Sequence, residues 1–266
     1  MSRYIRNWNE RIYRRYLREG RGQGAGTDYK PWLTVRDFPS LGVVSRVKGL
    51  KTGRVYHLMS TNETNLFYLL DWSDDVFDIR EQYPLIDLKK AIGIAETAQI
   101  RYPYDPKSGF PYVMTSDFYV ETEKGIIIIA VKPASELENP RVREKLEIER
   151  RYWTSQNIRW EIVTECEINH TKSRKIEWLS QAADLSQFGL SKKLQKICGN
   201  FVINLLNSLG NKSLYKIFAE TEQFFGLKDG MGLNIYKNLA YRKKIDLDVS
   251  QNIDFSESTG GVEVSE

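Results

Sequence analysis

The chain has 266 residues, 41% of them hydrophobic and 12% aromatic, with 39 Lys plus Arg against 35 Asp plus Glu for a formal net charge of +4. That supplies apolar surface for one large domain or two modest ones and excludes wholesale disorder. The longest apolar run, Ile126 to Val131, has strand length, which excludes a membrane span; the Arg-bearing N-terminus lacks the apolar core of a secretory signal, and a cytoplasmic protein is expected.

Charge is unevenly spread. Residues 1–54 hold 13 Lys or Arg and 4 Asp or Glu, a local balance of +9, and the remainder is mildly acidic. Asn7 to Glu19 has helical composition, with Arg11, Arg14, Arg15 and Arg18 at three- and four-residue spacing along one side. Such a stripe either tracks the phosphates of a polyanion or forms a solvated face. Gly20-Arg21-Gly22-Gln23-Gly24-Ala25-Gly26 breaks the helix. Thr27 and Asp28 follow it rather than the Lys-Ser/Thr of a nucleotide-binding loop, and it reads as a flexible joint with Arg21 as a further phosphate contact.

A mixed α/β pattern begins near Ser40: a strand at Val43 to Val47, a turn at Lys51-Thr52-Gly53, and a partner strand at Val55 to Leu58. Ser60 and Glu63 have the spacing of a capping box that opens a helix through Trp72. Val76 to Gln82 reads as a strand, then a variable polar stretch runs to Pro111. Thr115 to Glu121 and Ile126 to Lys132 read as a hairpin turning at Lys124-Gly125, a register that sets Asp117 opposite Lys132. Asn139-Pro140 starts a helix to about Gln156, and Ile158, Trp160 and Ile162 alternate as a strand. Beyond Lys172 the apolar spacing is helical over Ile176 to Leu179, Leu190 to Leu209, Leu214 to Phe225 and Gly232 to Arg242. The expected divisions are a basic arm (1–26), an α/β domain (27–168), a helical domain (169–250) and a disordered polar tail (251–266). The two cysteines, Cys166 and Cys198, and the two histidines, His57 and His170, lack metal-ligand spacing, which argues against a zinc site or a disulfide framework.

The chemistry gathers at the second hairpin. An acid beside a lysine at the open end of a central hairpin suits a metal-dependent phosphodiesterase, with Asp117 on Mg²⁺ and the ammonium of Lys132 on the attacking water. The alternative is a cross-strand salt bridge. Val142, Leu146, Glu149 and Trp153 form one helical stripe, so Glu149 sits in an apolar seam and must either ligate a metal or pair with Lys145 or Arg150. Glu63 either joins this site or only caps its helix.

Several blocks occur in one order: Gly20-Arg21-Gly22-Gln23-Gly24, Lys30-Pro31-Trp32-Leu33-Thr34-Val35, Lys51-Thr52-Gly53-Arg54-Val55, Asp78-Ile79-Arg80-Glu81-Gln82-Tyr83-Pro84-Leu85, Ser116-Asp117-Phe118, Val131-Lys132-Pro133 and Lys145-Leu146-Glu147-Ile148-Glu149-Arg150-Arg151-Tyr152-Trp153. Over residues 18–180 the chain thereby resembles the TnsA endonuclease subunits of heteromeric bacterial transposases. The resemblance implies a restriction-endonuclease-like mixed sheet flanked by helices, followed by a winged-helix-like, mostly helical domain. It implies hydrolysis of the DNA strand at transposon 5′ ends, with Mg²⁺, or Mn²⁺ in its place. It also implies two partners, an RNase H-type (DDE) transposase and an AAA+ ATPase regulator. By position it assigns Glu63 and Asp117 to the metal, Lys132 to catalysis and Glu149 to the active-site helix. One position departs: where the family can carry Gln and the broader fold Glu, this chain has Ala130, whose methyl cannot ligate a metal. The carbonyl of Val131, or Glu149 reaching across, would then supply the missing oxygen, or the subunit is catalytically weak and serves as a DNA-binding scaffold.

Overall fold

The computed structural model describes residues 7–37, 43–208, 212–250 and 255. The expected tail, apart from Phe255, and the end of the helix expected to Leu209 lie outside them. The chain divides into two compact units, 1–169 and 170–266. Among the described residues no helix is long and apolar enough to cross a membrane.

The first unit is a mixed sheet with helices. Helix α1 (Glu10–Arg18) starts at Asn9, whose side chain accepts the Ile12 amide. Strands β1 (Ser45–Lys48) and β2 (Val55–Leu58) form a separate antiparallel pair. Helix α2 (Thr61–Trp72) begins at the expected cap, with Ser60 Oγ accepting the Glu63 amide. The main sheet has the order β3-β4-β5-β6, from β3 (Val76–Pro84), β4 (Thr115–Thr122), β5 (Gly125–Val131) and β6 (Arg159–Val163). β3, β4 and β5 are antiparallel and β6 runs parallel to β5. Helix α4 (Pro140–Thr154), capped by Asn139, makes the crossover that this parallel pair needs.

Helix α3 (Leu88–Thr97) lies inside the stretch that the sequence leaves as a variable polar segment. Its core-facing residues are Ala91 and Ala95, both fully buried, and Gly93 interrupts its helical propensity, so its apolar stripe is weak in the sequence. α3 and α4 cover a core of Leu85, Tyr119, Ile128, Ile148, Tyr152 and Trp153.

Two other expectations are corrected. Thr122 pairs with Gly125, so the turn is Glu123-Lys124 and the register places Asp117 opposite Ala130 rather than Lys132. The Thr122 hydroxyl accepts the Lys124 amide and donates to the Gly125 carbonyl, and Gly125 takes a φ of 107° that other residues avoid. The slip is two residues, so strand parity survives. The glycine segment is packed rather than a free joint. The Gly22 amide donates to Lys30 O at 2.6 Å, and a Cβ on Gly22 would lie 2.3 Å from Pro84 Cγ. The preceding helix is fixed as well, by buried Trp8 and Tyr16 against Trp32, with Trp8 Nε1 donating to the Pro111 carbonyl at 2.8 Å.

One backbone position is strained. Gln82, two residues before the end of β3 and 4% exposed, has a φ of 49°. The left-handed region costs a non-glycine residue about 1–3 kcal/mol and persists only where surrounding contacts hold it.

In the second unit α5 (His170–Ser180), α6 (Lys192–Asn207), α7 (Leu214–Phe225) and α8 (Met231–Tyr241) pack around Ile176, Cys198, Val202, Ile217 and Ile235; no strand occurs among its described residues.

Candidate active site

A cavity of about 250 Å³ opens in the first unit, with Glu63, Asp117, Val131, Lys132 and Glu149 in its wall. Four elements bring them there, α2 with Glu63 being the first. Asp117 lies near the start of β4, Lys132 just beyond the end of β5, and Glu149 on the α4 crossover. The Lys132 backbone is pinned by its amide, which donates to Val163 O at 3.1 Å. The remaining walls are largely apolar, with Trp8, Trp32, Leu33, Met59 and Tyr112 among them.

Asp117 Oδ2 is the hub. It accepts the Val131 amide and Lys132 Nζ, each at 2.7 Å, and Nζ also donates to the Val131 carbonyl at 2.8 Å. Desolvation works against the Lys132 charge, but the carboxylate of Asp117 outweighs it and holds the ammonium above its ordinary pKa. Glu63 bonds the start of its own helix and also faces the cavity. Its Oε1 accepts the Ser60 hydroxyl at 3.0 Å and its Oε2 the Met59 amide at 2.8 Å, while the residue lines the cavity at 5% exposure.

Glu149 is not covered by Arg150, which pairs with Glu147. Its Oε1 accepts Trp160 Nε1 at 3.1 Å, and fully buried Ser116 bonds its carboxyl while accepting Trp153 Nε1 at 2.8 Å. Burial first, then the nearby Asp117 charge, pushes its pKa up to about 7 against Lys132 and these two donors. A folded pKa raised from 4.5 favours the neutral carboxyl. Its contribution to stability is therefore complete below pH 4.5 and lost as pH rises through about 7, an effect of about 3 kcal/mol. In metal-free buffer Glu149→Gln is expected to match wild type near pH 4 and to exceed it in urea unfolding at pH 8. Equal unfolding free energies at both pH values would contradict the raised pKa.

Sequence reading missed Ser116, Trp160, Thr115 and Gln82. Gln82 Oε1 accepts the Thr115 hydroxyl at 3.1 Å and its Nε2 approaches Glu63 Oε2 at 3.4 Å. Its one sequence signal is its place in the Asp78-to-Leu85 block. The arginines divide. Arg11, Arg14, Arg15 and Arg18 are exposed on α1, with Arg14 paired to Glu10 and Arg15 to Glu19. Arg21 stacks on Tyr16 and donates to Asp37 and the Trp32 carbonyl, contacts that hold its guanidinium against the fold.

Among the described residues no three His, Cys, Asp or Glu side chains form a ready-made metal cage. The donors still suit Mg²⁺, which takes one or two carboxylates and fills its shell with water and substrate phosphate. The Lys132 ammonium already stands as a cation between Asp117 Oδ2 and the Val131 carbonyl, two oxygens of the expected ligand set. Ala130 is fully buried and offers no oxygen from its side chain.

The mixed sheet flanked by helices, with an acid and a lysine at the ends of adjacent central strands, defines a restriction-endonuclease-like nuclease fold. Comparison with known proteins narrows the class. Residues 73–165 match the family model for the TnsA-like endonuclease N terminal region, and residues 167–249 match that for the TnsA endonuclease C terminal region. The transposon Tn7 transposition protein TnsA of Escherichia coli is 38% identical over 97% of this chain and 98% of its own length. The chain belongs to the TnsA family of transposition endonucleases.

Proposed function

We propose that this chain hydrolyses the DNA strand at transposon 5′ ends in a Mg²⁺-dependent reaction, with Mn²⁺ able to substitute. The observation that carries the reading is the Asp117–Lys132 pair in a cavity that Glu63 and Glu149 also line. Glu63, Asp117 and the Val131 carbonyl would hold the metal. When bound, it supplies Lewis-acid stabilisation of charge developing on the phosphoryl oxygens. Lys132, kept protonated by Asp117, orients the attacking water and donates to the phosphoryl group. Glu149, poised near 7, exchanges a proton in the working pH range.

The exposed arginines of α1 provide phosphate contacts, which position DNA without reading its sequence. End recognition then falls to a DDE-type transposase partner, with an AAA+ ATPase regulator linking both to the target. The name of the Escherichia coli relative, a transposition protein, supports a role in transposition. Ala130 favours a second reading, a catalytically weak subunit that binds DNA and scaffolds its partners.

Nicking of a transposon-end duplex, with both partners present, separates the two readings. Asp117→Ala is expected to abolish Mg²⁺-dependent 5′ nicking and leave 3′ cutting intact. Equal absence of 5′ nicking in wild type and variant, with assembly preserved, would establish the scaffold.

A further inference from the structure

Gln82 combines three features that ordinary strand residues lack. Its backbone is left-handed at φ 49° inside a buried strand. The flanking pairs, Glu81 with Phe118 and Tyr83 with Ser116, leave it opposite Asp117. Its amide spans from Thr115 Oγ1, two residues before Asp117, to Glu63 Oε2. Its carbonyl accepts the Trp32 amide at 3.3 Å, and the neighbouring Glu81 is locked by Arg54, so both sides of the unfavourable conformation are held.

An amide suits that bridge because it accepts at one end and donates at the other, with no charge of its own to desolvate. Met59 and Ser60 orient Glu63 from its own helix end. Through the Gln82 amide, the Glu63 carboxylate is tied to the strand that carries Asp117.

We propose that Gln82 is a positioning residue that fixes Glu63 relative to Asp117 and so sets the affinity of the site for a divalent cation. The inference rests on the metal-dependent reading given above. The left-handed backbone provides a clean test, because glycine adopts it without strain. Gln82→Gly deletes the amide while easing the conformation, and thermal unfolding separates lost function from lost folding.

Mn²⁺ binding to the full chain, followed by electron paramagnetic resonance of the free ion, is the direct readout, with thermal unfolding and DNA binding measured alongside. Gln82→Gly is expected to weaken Mn²⁺ binding at least about tenfold, with a Tm no lower than wild type and DNA affinity unchanged within a factor of about two. Thr115→Val, which removes the other anchor of the amide, is expected to weaken binding in the same direction by a smaller factor. Wild-type Mn²⁺ affinity in Gln82→Gly, alongside weakened binding in Asp117→Ala, would overturn the role of Gln82 alone. Wild-type affinity in both variants would overturn the metal reading and the positioning role together.

Discussion

Lys132→Met is expected to lower the rate of 5′-strand cleavage by about 10³-fold, on the order of 4 kcal/mol, while leaving divalent-metal binding intact or tighter. The two effects have one origin. Nζ of Lys132 bonds Asp117 Oδ2 and the Val131 carbonyl, oxygens the metal would use, so removing the ammonium frees them. It also removes the cation available to the water and the phosphoryl group. Methionine keeps the length and apolar stem of the side chain, and the backbone anchor to Val163 is unaffected. Single-turnover cleavage across a Mg²⁺ titration separates the roles. A variant within tenfold of wild type would show that the ammonium is dispensable, and one restored by raising Mg²⁺ would show that Lys132 acts only through metal occupancy.

What the sequence made legible depended on how local each feature is. The Ser60 cap, the Asn139-Pro140 start of α4 and the seam holding Glu149 are set by neighbours a few residues away, and all appear in the structure as read. The 115–132 hairpin was legible as a hairpin but not in register, because Thr122 closes the turn with its hydroxyl, and no dipeptide rule encodes that. α3 escaped because alanines face its core. The partners of Arg21 are equally non-local, since only the fold brings Asp37 and the Trp32 carbonyl to its guanidinium.

The candidate site shows the same division. Asp117, Lys132, Glu149 and Glu63 could be named from spacing together with the family resemblance. The groups that tune them could not be. Ser116 and Trp160 reach Glu149 from separate strands, and nothing in a glutamine signals the left-handed backbone of Gln82. The conformation becomes intelligible only beside the buried ion pair at the preceding residue.

That ion pair carries the largest stability effect expected in the first unit. Arg54 donates to both oxygens of Glu81, at 2.8 and 2.7 Å, and its guanidinium lies 3.7 Å from the Tyr56 ring centroid. The Glu81 side chain is fully buried and that of Arg54 is 8% exposed. Arg54→Met leaves the carboxylate in the interior with only the His57 amide to meet it, at 3.1 Å. Breaking a buried pair from one side costs about 3–5 kcal/mol, a large share of the 5–15 kcal/mol that a typical domain has. In a unit of this size the thermal midpoint should fall by roughly 10 °C. Arg54→Met with Glu81→Leu is expected to recover most of that loss, because no unpaired charge remains. A single-variant loss below about 1 kcal/mol in urea unfolding would show that water reaches the pair. The pair ties β2 to β3 one residue before Gln82, so Arg54→Met should also weaken Mn²⁺ binding at temperatures where the chain is still folded. The double variant should regain stability without regaining full metal affinity, since leucine cannot accept the His57 amide that Glu81 holds.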